Sequence, residues 1–155
     1  YKLAAVEDEQ GNIIPKIKIS ENTAKITNPH YKKLYRFYDN ESGKALADEL
    51  CVYDETIDST KPHTIFDPDA IWKTKTLTDY TARELHVTAF KNGELVYKQP
   101  SLYEIRIYCA EQLETLWDEV KRFENPHTYY VDLSKKLWDI KNALLEKSKD
   151  GKDLK

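Results

Sequence analysis

The sequence has no methionine, only four glycines, two cysteines and no long apolar run. Each shortage excludes something. Phosphate-cradling loops need several closely spaced glycines, and neither a GxGxxG run nor a P-loop is present. No nucleophile elbow occurs either. Cys51 and Cys109 lie far apart in the chain, without a CxxC partner or a histidine at ligand spacing, so they read as two ordinary reduced thiols rather than a disulfide framework or a zinc site. The apolar stretches are a handful of residues long, too short for a membrane-spanning helix, and no charged-then-apolar leader with a cleavage site opens the chain. The missing methionine, with a start directly on the strand-like "YKLAAVE", leads us to expect a piece of a longer protein.

What is present is a chain of 155 residues, 40% hydrophobic and 33% charged, enough for one domain with a core. The formal net charge is −3 and the pI is near 5.9, which weighs against nucleic acid as a main partner. Against that background one segment stands out. Residues 13–38, "IIPKIKISENTAKITNPHYKKLYRFY", carry Lys16, Lys18, Lys25, Lys32, Lys33 and Arg36 against the single acid Glu21. Three explanations fit: a bound anion, an acidic neighbouring surface, or a solvated edge. Lys16 and Lys18 on one strand face would stand about 7 Å apart. That spacing suits two carboxylates of a neighbouring domain as well as one diphosphate. We expect a docking surface first and anion contact second.

The first two thirds read as strands and turns. "YKLAAVE" and "IIPKIKIS" flank "DEQGN", where Gly11 supplies a tight turn. Ile13, Ile17 and Ile19 alternate with Lys16 and Lys18, and Pro15 favours an edge or bulge. "YKKLYRFYD", the turn "NESG" with Gly43, and "KALADELCVYDE" predict a second strand pair, the last run being also open to a short helix. Residues 55–82 read as irregular, punctuated by Pro62, Pro68 and "FDPDA". "ARELHVTAF", "KNG" and "ELVYKQ" form a hairpin around Asn92-Gly93. After Pro100 the period changes. Ser101 and Glu104 of "SLYE" match a capping box. Leu102, Ile105, Cys109, Leu113, Leu116, Val120 and Phe123 then follow at helical steps until Asn125-Pro126. A second helix is expected from Asp132 through Leu133, Leu137, Ile140 and Leu144. The fold class is therefore α+β: a mainly antiparallel sheet of hairpins followed by two C-terminal helices packed on it. One domain spans 1–148, with a polar frayed tail over 149–155.

No constellation carries chemistry. His30, His63, His86 and His127 are scattered; His86 reads as a solvated strand-face residue beside Glu84 and Thr88, and His127 as a loop residue. Asp67 and Asp69 of "FDPDA" are too few for a calcium loop and suit a turn. We expect no catalytic and no metal site. Trp72, Trp117, Trp138 and eleven tyrosines do not fall at base-stacking spacing.

Taken in order, "YKLAAVEDEQGNIIPKIKIS", "SENTAKITNPHYKKLYRFYD", "SGKALADEL", "WKTKTLTDYTARELHVTAFKNGELVY", "PSLYEIRIYCAEQLETLWDEVKRFENPHTYYVDLS" and "LWDIKNALL" resemble the C-terminal region of the nicotinate phosphoribosyltransferase family, over nearly all of the chain to about Leu145. The resemblance implies an accessory domain of a cytoplasmic, homodimeric enzyme of NAD salvage. That enzyme joins nicotinate to phosphoribosyl diphosphate, with ATP and magnesium as requirements of the parent and none in this region. Partners would be the N-terminal and barrel domains of the same parent chain, with no membrane. The family's barrel, phosphate loops and phosphorylated histidine lie upstream. Of its "LGGVYKL" run only Tyr1, Lys2 and Leu3 are here, so no catalytic residue carries over. A binding module for an anionic ligand or RNA is the alternative. Where the family commonly has Asn-Pro-Gly, this chain has Asn28-Pro29-His30, which requires either another turn type or a strained histidine.

Overall fold

The computed structural model describes residues 2–149. A small antiparallel pair opens the chain, β1 (Ala5–Glu7) and β2 (Ile13–Pro15), closed by a turn with Gly11 at φ 84°. The strand ends at Pro15. Ile17, Ile19, Lys16 and Lys18 therefore lie beyond it, which corrects the longer alternating strand expected over "IIPKIKIS". A proline supplies no N–H for the next ladder bond, and the Lys16 N–H turns back to the Ala4 carbonyl at 2.8 Å.

The centre is a four-stranded sheet. β3 (Lys32–Asp39) and β4 (Ala45–Val52) form its antiparallel middle pair, joined by the Gly43 turn at φ 68°. The "ALADELCV" run is thus a strand. β7 (Tyr80–Glu84) adds to β3 antiparallel, and β10 (Val131–Leu133) adds to β4 in parallel. The stretch 55–82 is not irregular: besides β7 it holds the hairpin of β5 (His63–Asp67) and β6 (Ala70–Leu77). Pro62 and Pro68 sit just outside these strands, where prolines are tolerated. The "FDPDA" turn is closed by the Asp67 carboxylate accepting from the Asp69 N–H at 2.9 Å. β8 (Phe90–Lys91) and β9 (Glu94–Leu95) pair around Asn92 and Gly93, at φ 51° and 83°, as a type I′ turn requires.

Period two sorts the middle strands. Phe37 and Ala47 face the β5–β6 hairpin and pack with Ile65, Leu77 and Tyr80. The opposite face is covered by α3 (Lys135–Lys149), whose Leu137 is buried with Val52 and Leu133. The second helix therefore starts after Ser134, not at Asp132, which is buried in β10. Ser134 Oγ accepts from the Leu137 N–H and donates to the Glu55 carboxylate at 2.7 Å. The remaining residues of the expected tail, 150–155, lie outside the described residues.

The helix after Pro100 is α1 (Leu102–Glu114), with the capping box of Ser101 and Glu104 formed in full. It stops at Thr115 rather than running to Phe123, and a short α2 (Asp118–Lys121) follows a break at Trp117. The C-terminal end of α1 is tied to the β3–β4 turn. Lys44 Nζ donates to the Glu114 carbonyl at 2.7 Å, the Ala45 N–H to the Thr115 carbonyl at 2.8 Å, and Tyr38 Oη to Gln112 at 3.2 Å. None of its side chains is buried.

Candidate functional site: a basic cleft beside the central sheet

Six cations of the basic segment were candidates, and the structure divides them. Lys32 and Lys33, at the start of β3, line a cleft of about 490 Å³ together with Tyr31, Tyr53, Glu84 and His86. Lys16, Lys18 and Lys25 are not among its lining residues, and Arg36 is engaged elsewhere. The cleft is built by the register of β3 with its neighbours and by an unusual turn. His30 has φ 76°, so the strained reading of Asn28-Pro29-His30 is the one observed. Its ring stacks on Tyr53 at 6.0 Å, and its Nδ1 accepts from the Tyr31 N–H at 2.9 Å. His86 is not a strand-face residue, because β7 ends at Glu84; its Nδ1 accepts from the Leu34 N–H at 3.0 Å.

Neither lysine of the cleft is a free charge. Lys32 Nζ donates to the His30 carbonyl at 2.6 Å, and desolvation lowers its pKa. Lys33 lies 5.5 Å from the centre of the Tyr35 ring and 3.6 Å from Glu84. Burial works against its charge, but Tyr35 and Glu84 outweigh that and raise its pKa. Arg36 holds Asp48 with two bonds, at 2.8 and 2.9 Å. Its pKa rises, chiefly through that hydrogen bond, against the cost of burial. Tyr129 Oη also donates to Asp48, at 2.8 Å. Burial first, then Asp48, raises the pKa of that phenol.

On the opposite face of β4 lies a group that the sequence did not announce. Glu49, only 2% exposed, takes a hydrogen bond from His63 Nε2 at 2.8 Å. Cys51 Sγ stands 3.6 Å from the same carboxylate. A thiol, a histidine and a carboxylate together suggest a nucleophile, but the chemistry fails. Burial, then Glu49 and Glu55, push the Cys51 thiol up, and the thiolate is the reactive form. Asp132 faces Glu49 across the parallel ladder. Desolvation, then Glu49 and Asp67, raise its pKa to about 6. These residues come from β4, β5 and β10, so no local motif marks them. Among the described residues no group of three His, Cys, Asp or Glu side chains is placed to hold a metal ion, and Cys51 and Cys109 are both free. With its thiol held protonated, the arrangement fixes strands and is not poised for nucleophilic attack by Cys51.

Comparison with known proteins places the chain within part of a longer sequence framework. Residues 31–141 match the family described as Nicotinate phosphoribosyltransferase C-terminal domain. The nicotinate phosphoribosyltransferase of Bacillus subtilis (strain 168) is 37% identical over 141 residues, covering 91% of this chain and 29% of that protein. The one from Dictyostelium discoideum is 31% identical over 163 residues, covering all of this chain and 27% of that protein. The crystal structure of human Nicotinic Acid Phosphoribosyltransferase superposes with a TM-score of 0.69 at 26% identity, over 77% of this chain and 24% of that one. The chain spans less than a third of the length of each of these relatives, and it belongs to the nicotinate phosphoribosyltransferase C-terminal domain family.

Proposed function

We propose that the chain is the C-terminal accessory domain of an enzyme that converts nicotinate and phosphoribosyl diphosphate to nicotinate mononucleotide and diphosphate, coupled to ATP hydrolysis, in NAD salvage. The observation that carries this is the family match over residues 31–141, joined to relatives bearing that enzyme's name and extending well past this span. In this reading magnesium and ATP are requirements of the parent, and no step of the reaction is routed through this chain. Its work is structural: to brace the catalytic part of the parent, a homodimer in our reading. Two free cysteines support a reducing, cytoplasmic setting. Among the described residues no helix is long and apolar enough to cross a membrane.

For the basic segment we propose docking, with exposed Lys18 and half-buried Lys16 as the cations that reach the neighbouring surface. Lys33 and Arg36 already have acidic partners within the chain, which weighs against a nucleic-acid or free-anion role. The test of the function is direct. The purified chain is expected to form no nicotinate mononucleotide, and the full-length parent to form it. Turnover by the chain alone, prepared from a host lacking its own enzyme, would overturn the accessory reading. Lys16→Ala with Lys18→Ala in the parent is expected to leave the Michaelis constant for phosphoribosyl diphosphate nearly unchanged while lowering stability. A large rise in that constant at intact stability would make the pair substrate ligands.

A further inference from the structure

We infer that α1 is an apolar seat, with the β8–β9 hairpin as a second patch, covered by the remainder of the parent chain, the part of its relatives that lies outside this span. The inference rests on the accessory-domain reading and says which surface does the bracing. A helix of 13 residues is marginal in water on its own, and in proteins it is held by an apolar face packed against something. α1 is held by hydrogen bonds near its C-terminal end and buries no side chain. Yet it is rich in apolar residues: Leu102 is 75% exposed and Leu113 50%, with Tyr103, Ile105, Ile107 and Tyr108 also open. The hairpin repeats the pattern. Two-residue strands do not sustain themselves, and Phe90 and Leu95, paired across its turn, are each 67% exposed. Scattered exposed leucines are ordinary, but a helix and a hairpin that each leave most of their apolar side chains open mark interface surfaces.

The occupant follows from length. The matched relatives continue for more than twice this span, so a covering surface exists within the same polypeptide.

The test places Leu102→Gln and Ile105→Gln, singly and together, in both the full-length parent and the 155-residue chain. Glutamine keeps helix propensity, and both positions are exposed here. In the 155-residue chain the thermal midpoint and far-ultraviolet circular dichroism are expected to stay unchanged. In the parent the midpoint is expected to fall by several degrees, with faster proteolysis between this region and the rest. Equal behaviour in both backgrounds overturns the inference. So does a concentration-dependent dimer of the 155-residue chain that the substitutions dissolve without effect on the parent, since the occupant would then be a second copy. If the wild-type parent shows no nicotinate turnover, the accessory reading itself fails. If turnover is present and the glutamines change nothing, only the seat fails.

Discussion

Single side chains in this domain act mostly by keeping buried charge satisfied. Asp48 is buried between Arg36 and Tyr129. Replacing Arg36 by Met leaves its carboxylate with one donor, and breaking such a pair costs about 3 kcal/mol. The double change Arg36→Met with Asp48→Leu is expected to recover at least half of this, read as the urea midpoint. A single change with no effect would mean that the pair is idle. Asp132 poses the opposite problem, since its neighbours Glu49 and Asp67 share its sign. Its pKa is raised to about 6 in the fold from about 3.9 when unfolded. The folded state therefore binds more protons between those values, and stability falls as pH rises through that window. Asp132→Asn is expected to gain on the wild type from about pH 4 upward and to hold a constant advantage above pH 6. A difference independent of pH would show that the carboxyl does not titrate in this range.

At the scale of elements, each helix answers to a different support. Ser101→Ala removes a full capping box, worth about 1 kcal/mol. Because α1 buries nothing, the loss is expected locally: amide exchange over residues 102–106 should quicken roughly fivefold while the global midpoint of the 155-residue chain holds. Leu137→Ala is different, because Leu137 is fully buried against Val52 and Leu133. Its loss is expected to cost about 3 kcal/mol of global stability, visible in chemical denaturation. The same contrast explains what the sequence revealed. The α1 start was legible because Ser101 and Glu104 are three residues apart and cap each other. β10 was not, because three residues pairing in parallel with β4 leave no local period, and Asp132 before an apolar run imitates a cap. β5 and β6 were hidden by Pro62 and Pro68, which border strands as readily as loops. The Glu49–His63 contact joins residues whose types alone suggest solvent, and only the packing of the hairpin on β4 buries Glu49 and half-buries His63.

For the whole molecule, charge distribution decides behaviour toward polyanions. The net charge is −3, and the basic cleft is partly neutralised by Glu84. The purified chain is expected to pass through heparin at moderate salt. Strong, salt-steep retention would restore the nucleic-acid reading. The α+β class and the division into sheet and late helices were legible as a whole because alternation gives way to helical spacing at Pro100. Which helix carries the core and which stays open was not, since both read as amphipathic and only the sheet contacts of Leu137 tell them apart.

The parallel pairing of β10 with β4 has a consequence for how freely this domain can be re-engineered. Glu84, Tyr35, Glu49 and Asp132 stand in one row across β7, β3, β4 and β10. Three strand spacings separate the ends of that row, about 14 Å. A crossover joining parallel strands needs about a dozen residues, yet residues 85–130 lie between β7 and β10. Most of that excursion is therefore surplus to the connection. A linker of about a dozen residues would close the sheet only by giving up the contacts the excursion makes, His86 with Leu34 and Tyr129 with Asp48 among them, so the excursion should be exchangeable between relatives where those end residues are kept.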